Sequence, residues 1–256
     1  MDISFNIYSL ILASGVAAVA GVVGSFAVMK KMSLAGDVVS HIALPGIGIA
    51  LLLKVNPLIG AAATLILGTL LIWQLEKKSS LSTDTAIGVA FTASIALGVL
   101  LTPNEDLLEI LFGSFSSTNP FSFLAVLALT IGVAVVIFAL RHRLILSIFS
   151  PELAAATGVN VSQTNLIYFL LFALTLFLGL QFLGTVLVGA ILIAPAAASR
   201  QVSSSLNSFL LLSALFGVFS VVAGSIIASI YSLALGPAIV CVAAVIFGLS
   251  LFVKRK

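Results

Sequence analysis

Nine apolar runs, each close to the length of a membrane-crossing helix, follow one another along this chain with only short polar breaks between them. A helix needs about 20 residues to cross about 30 Å of hydrocarbon, so eight to ten such spans use up all 256 residues. No polar stretch is left that could form a water-soluble domain on one or two anchors. The composition agrees: 61% of residues are hydrophobic and 7% charged, against roughly 45–50% and 25% in soluble proteins. The expected fold is all-α, a polytopic membrane protein built as one transmembrane domain over residues 1–256, with a bundle of about eight or nine helices.

The runs cover Ile7 to Met29, Leu34 to Leu53, Pro57 to Leu75, Thr85 to Leu101, Phe121 to Leu140, Leu166 to Leu180, Phe182 to Ala198, Leu206 to Tyr231 and Pro237 to Val253. Very little chain, around Gly179 to Gly184, separates the sixth from the seventh, and the choice between eight and nine spans rests there. Lys30 and Lys31 follow the first run, Lys77 and Lys78 the third, Arg141 and Arg143 the fifth, Arg200 the seventh, and Lys254, Arg255 and Lys256 the ninth. With nine spans, ten of the eleven basic residues fall on one side and only Lys54 on the other. The basic side is expected to be cytoplasmic, with the N-terminus outside and the C-terminus inside. Asp2, Glu105, Asp106 and Glu109 then lie outside, and Glu76, Asp84 and Glu152 on the inner side. The start, MDISFNIYSL, lacks the positive region of a cleavable signal, so the first run is expected to stay as a span.

The net charge of +3 sits in small clusters between apolar runs rather than in a phosphate-binding field, so no nucleic-acid partner is expected. Cys241 is the one cysteine, in an apolar run, which leaves no disulfide framework and no thiol metal site. Residues Thr102 to Pro120 form an outside segment that suits a short interfacial or re-entrant helix. Arg141 to Thr164 is the longest cytoplasmic stretch. Within it, Ser150-Pro151-Glu152 reads as a helix start, with proline in the first turn and an acid at the positive end of the dipole. Gly158 supplies the stop. The resulting helix, Pro151 to Thr157, is either a solvated turn or a docking element for a cytoplasmic partner.

Charge within a span costs about 2.5–3.5 kcal/mol on insertion scales, which makes such a group a functional candidate by default. The second run holds two titratable groups, Asp37 and His41, four residues apart and so on one helix face. A carboxylate and an imidazole converging on one point suit zinc, manganese or iron(II), whereas magnesium and calcium prefer oxygen alone. Counting helical rise from the cytoplasmic end puts His41 roughly 12 Å deep. Ser40 is placed to help orient the pair. The same two residues could instead satisfy each other within a bundle or relay protons. Two ligands are few for a tight site; a homodimer with this helix near its two-fold axis doubles them to four.

Pro45, Gly46 and Gly48 follow at once, and a kink or gate just beyond His41 is expected from the missing backbone donor and the small residues. Pro195, in a run rich in small residues, offers a second bend, although close packing accounts for that composition too. Gln181 and Thr185 are candidates to line a pore near the outer end. Asp84 reads as a helix cap and His142, between two arginines, as a surface residue. Neither a G-x-x-x-x-G-K-[ST] nor an H-E-x-x-H pattern is present, so the chain is not expected to hydrolyse ATP by the P-loop route or to act as a zinc protease. It is read as a transport subunit and not an enzyme.

The segment GSFAVMKKMSLAGDVVSHIALPGIGIALLL, residues 24 to 53, resembles the signature of the permease subunits of bacterial high-affinity zinc, manganese and iron ABC importers. That family carries a basic pair followed by G-D-x-x-S-H-x-x-L-P-G, matched here by Gly36, Asp37, Ser40, His41, Leu44, Pro45 and Gly46. STDTAIGVAFTASIALGVLL, ILFGSF, SPELAAATGVNV and VGAILIAPAAASR resemble its later blocks in the same order. The resemblance implies a homodimer in the bacterial inner membrane, carrying two copies of a cytoplasmic ATPase and receiving metal from an extracytoplasmic metal-binding protein. It implies that Asp37 and His41 occupy the metal pathway, and that Pro151, Glu152, Leu153 and Gly158 belong to the coupling helix on the ATPase. No cofactor is held permanently: the metal is cargo, and ATP is used by the partner. The competing readings are a self-sufficient secondary transporter or channel with Asp37 and His41 as a proton relay, and an intramembrane enzyme.

Overall fold

The computed structural model describes residues 7–32, 34–78, 83–101 and 120–253. Among these residues the secondary structure is helix joined by short turns: α1 Ile7–Met29, α2 Ala35–Ser40, α3 Ala43–Leu52, α4 Pro57–Lys78, α5 Thr83–Leu101, α6 Pro120–Phe149, α7 Pro151–Ala156, α8 Val161–Val202, α9 Leu206–Tyr231 and α10 Leu235–Ser250. Asp2, the acids Glu105, Asp106 and Glu109 with their segment 102–119, and Lys254, Arg255 and Lys256 lie outside the described residues, as do the side chains of Glu76, Lys77, Lys78, Asp84 and Gln181.

Seven stretches are long and apolar enough to cross a membrane, and the shorter apolar helices Thr85–Leu101 and Leu235–Ser250 join them. Together they coincide with the nine apolar runs of the sequence. The sixth and seventh are the two arms of α8, Val161–Leu180 and Leu183–Val202. Gly184 stands between them at φ 70° and ψ 178°, outside helical geometry. A Cβ on Gly179 would strike the side chain of Val188. Nine residues of unbroken helix would hold these two about 13.5 Å apart, so the chain reverses at Gly184 and the arms pack as a hairpin.

Helix α1 is the most buried of the long helices, whereas α4 and α6 are the least buried. It packs between both arms of α8 and α9. Tyr168 on the first arm donates its hydroxyl to the Val23 carbonyl at 3.2 Å, and a Cβ on Gly24 would fall on the Leu192 backbone of the second arm. Against α9, Gly21 meets the backbone of Ser213 and Gly217 that of Ala17, and the Ser213 hydroxyl donates to the Gly21 carbonyl at 2.6 Å. Small residues carry these contacts because lipid is as apolar as the helix faces, so association depends on close backbone approach rather than on hydrophobic burial.

At one end of the bundle Lys30 donates to Asn165 Oδ1 at 2.8 Å and lies 5.4 Å from the ring centroids of Tyr168 and Phe169. Trp73 Nε1 donates to the Ser162 carbonyl at 3.1 Å. The ends of α1 and α4 are thereby fastened to the start of α8, beside α7. Two expected boundaries differ. Helix α6 continues through Arg141, His142 and Arg143 to Phe149, because nothing before Ser150-Pro151 interrupts it. Helix α5 starts at Thr83, which puts Asp84 in its first turn rather than at the cap.

Candidate functional site

Helix α2 carries Asp37 and is held against the second arm of α8. A Cβ on Gly189 would fall on the backbone of Gly36 and Asp37, so glycine there lets the two backbones touch. One turn further, the Ser40 hydroxyl lies 2.6 Å from the Asp37 carbonyl and 2.6 Å from the Thr185 carbonyl, where its single proton is shared or alternates. Ser40 and Thr185 are both fully buried, and the Thr185 hydroxyl has no hydrogen-bond partner among the described residues.

The helix breaks at His41 and Ile42, which separate α2 from α3. Pro45 is the cause. It has no N–H to give the His41 carbonyl, and Leu44 N donates to that carbonyl instead, at 3.1 Å, closing a tighter i→i+3 turn. The discontinuity expected beyond His41 therefore falls on His41 itself. Gly46 lies within helical α3, in mutual backbone contact with Gly60 of α4, so in this conformation it serves packing. Pro195 is buried in the second arm with helical dihedrals around it; the non-helical residue of α8 is Gly184. The spare chain around Gly179 to Gly184 was the sequence signal for it.

His41 Nε2 and Asp37 Oδ1 stand 4.0 Å apart, with side-chain exposures of 13% and 59%. The imidazole packs on Phe91 of α5, ring centroids 5.5 Å apart, and its buried Nδ1 has no partner among the described residues. The gap is too long for a hydrogen bond. Tetrahedral coordination with bonds of about 2.1 Å sets donors about 3.4 Å apart, so a sub-ångström side-chain movement brings both onto one cation. Among the described residues no group of three or more His, Cys, Asp or Glu side chains gathers around a metal-sized point. One chain thus offers two candidate ligands.

Depth follows from the helix register. Gly24 is level with Leu192, and Gly36 with Gly189. Counting helical rise from Lys30 up to Gly24, and from Leu192 up to Gly189, places Asp37 about 13 Å above Lys30, with Ser40 and His41 about 6 Å higher. In a 30 Å hydrocarbon layer that is the middle, and over half of the Asp37 side chain is open there at the surface of the single chain.

The remaining candidates are elsewhere. Helix α7 runs Pro151–Ala156, with Pro151 in its first turn and Thr157 as its C-cap. Gly158 takes φ 80°, and the bonds Gly158 N to Ala155 O (3.1 Å) and Val159 N to Ala154 O (2.9 Å) complete a Schellman closure. Pro151, Glu152 and Leu153 are exposed, while Ala154 is buried beneath them. His142 is exposed and accepts from Arg141 Nε at 3.3 Å. Cys241 is a free thiol on an exposed face of α10.

Comparison with known proteins joins these features. The profile of a family described as the ABC 3 transport family matches residues 3–254. The manganese transport system membrane protein MntC of Halalkalibacterium halodurans is 35% identical over 243 residues, 93% of this chain and 83% of its own length. The high-affinity zinc uptake system membrane protein ZnuB of Haemophilus influenzae is 32% identical over 242 residues, 91% of each chain. A chain of the structure described as PsaBC from Streptococcus pneumoniae in complex with Fab superposes with a TM-score of 0.86 at 32% identity, covering 100% of this chain and 94% of that one. The all-α, polytopic architecture expected from the sequence is the fold of this chain.

Proposed function

The chain belongs to the ABC 3 transport family, and from that premise we propose that it is the membrane-spanning permease subunit of an ATP-driven importer for a divalent transition metal, carrying the ion past Asp37 and His41. It is a transport subunit rather than an enzyme, and ATP is hydrolysed on a separate chain. The relatives' names carry manganese and zinc; both accept a mixed nitrogen and oxygen donor set, as does iron(II).

The observation that carries the pathway is Asp37, a carboxylate 59% exposed at mid-membrane depth. Facing lipid it would be opposed by about 2.5–3.5 kcal/mol, so its open side belongs against water or protein. A second copy meeting the first across this face gives a homodimer with two carboxylates and two imidazoles around one path, four donors, the number that a tetrahedral zinc site takes. A transit site of this kind must let an ion leave as readily as it enters, which two ligands from each chain suit better than a closed cage.

In this reading the face bearing Lys30, Arg141, Arg143 and Arg200 is cytoplasmic, the C-terminus is on that side, and the exposed edge of α7, with Pro151, Glu152 and Leu153 ended by Gly158, docks on the ATPase. An extracytoplasmic binding protein delivers the ion to the opposite face. Membership of an ABC family disfavours a self-sufficient secondary carrier or channel. The test is uptake of zinc, manganese and iron(II), measured in parallel, by the transporter reconstituted with its ATPase. Asp37→Asn and His41→Ala should each insert and assemble as wild type yet abolish uptake of the cargo metal. Wild-type rates in both variants would remove the assignment.

A further inference from the structure

Three helices that carry neither Asp37 nor His41 enclose a groove of about 460 Å³, walled by α1, α6 and α9. Its body is apolar, formed among others by Val22, Ile137, Leu210 and Ala214, and Arg141 and Asn207 supply its polar side chains. The helix register puts these two at one level. Gly15 of α1 lies beside Thr130 of α6, with 3.9 Å from its would-be Cβ to the threonine methyl, and Gly21 lies beside Ser213 of α9. Helix α6 leads through α7 to the face where Lys30 meets Asn165, so α1 and α6 run the same way. Counting along each helix brings Arg141 level with Phe26 and Asn207 level with Ala27, one turn short of Lys30. From that level the apolar body extends about 12 Å into the bundle, up to Ala18.

Arg141 is half-buried at the mouth. Its Nε is taken by His142, its side chain lines the groove, and among the described residues no carboxylate pairs with it. A planar cation of this kind matches a phosphate in bidentate fashion. The Arg141 backbone lies one turn, about 6 Å, inside the level of Lys30, so the long side chain reaches headgroup depth from the end of the apolar slot. Basic pockets between membrane helices take anionic headgroups for this reason.

We propose that this groove is a binding site for an anionic phospholipid of the leaflet on the basic side, its phosphate held by Arg141 and the Asn207 amide and one acyl chain lying along α1 between α6 and α9. The charge of the mouth and the apolar body select the two ends of the same molecule. The site does not depend on the metal-pathway reading, since it shares no residue with it.

The full chain, purified in detergent, would be mixed with phosphatidylglycerol or phosphatidylcholine of identical acyl chains and the retained lipid counted by native mass spectrometry. Wild type should retain phosphatidylglycerol with roughly a fivefold preference, the ratio expected when one basic side chain meets an anionic lipid. Arg141→Gln should bring the preference to about one, Arg141→Lys should keep most of it, and Ala134→Phe, which fills the groove, should lower retention of both lipids. Equal retention of the two lipids by wild type, or an unchanged preference in Arg141→Gln, overturns the proposal. Inorganic phosphate bound as tightly as the lipid would show an anion site with no role for the chain, and also overturns it. So does a dimer mass that Ala134→Phe abolishes without any lipid preference, which would make the groove an interface between copies. Arg141→Lys and Ala134→Phe keep the test decisive if Arg141→Gln folds poorly.

Discussion

Gly184→Ala tests the device that places the site. The residue holds φ 70° and ψ 178°, a region that only glycine occupies freely, and a Cβ there stores strain of order 1–3 kcal/mol. For a chain of about this size, each kcal/mol moves Tm by about 2–4 °C, so the variant should melt about 2–12 °C lower. Relief of that strain would rotate the second arm of α8, and the Thr185 carbonyl, one residue on, would leave the Ser40 hydroxyl that it meets at 2.6 Å. Uptake should then fall along with stability. The assay is thermal unfolding of the detergent-purified chain, with Gly88→Ala and Gly132→Ala as controls. Both glycines are helical and have nothing within 4 Å of a would-be Cβ, so alanine there should be neutral or stabilise by up to about 1 kcal/mol. If Gly184→Ala melts with these controls, glycine is not required at the reversal and the hairpin argument fails.

Ser40→Ala removes a buried hydrogen bond between α2 and α8, which should lower stability by about 0.5–1.5 kcal/mol and slow uptake, with Ser40→Thr recovering part of both; unchanged uptake in Ser40→Ala would show that Asp37 and His41 do not need this tie. Gly158→Ala meets open space but keeps a φ of 80°, so its effect should be confined to backbone strain of about 1–2 kcal/mol and to weaker coupling of ATPase activity to transport, read by comparing ATP turnover with metal moved. Lys54 caps α3 at φ 55°, with Val55 N bonded to the Ala50 carbonyl at 2.9 Å. Lys54→Gly should therefore raise the melting temperature slightly, through relief of about 1 kcal/mol of strain, and an equal or lower melting temperature would count against the strain.

Local features were legible because local chemistry causes them. The turn SPELAAATG states its own start and stop, and α7 with its Gly158 closure follows those residues to within one position. Asp37 and His41 stand out because charge is scarce in apolar sequence and four residues make one helical face. Pro45 announces a break, but its position had to be read one turn back, at the carbonyl that the proline leaves unpaired. Pro195 shows the limit of such reading. It is a proline inside a helix whose neighbours keep helical geometry, while the non-helical residue of α8 is Gly184, in the short stretch that divides the sixth run from the seventh.

The sequence by itself determined the order of the apolar helices, the clustering of the basic residues, the short helix that starts at Pro151 and the Asp37–His41 spacing, since each is set by hydropathy, charge or spacing along the chain. Only the tertiary structure decided which faces meet. In lipid a helix can be apolar all round, so polarity does not mark its buried face, and the small residues that allow contact are spread along most of these helices. That Gly189 rather than another glycine receives α2, that Ser40 finds the Thr185 carbonyl 145 residues away, and that Asp37 is left open at the chain surface are consequences of close packing. They set the pair at an open edge of the bundle, where the proposed second copy would complete it.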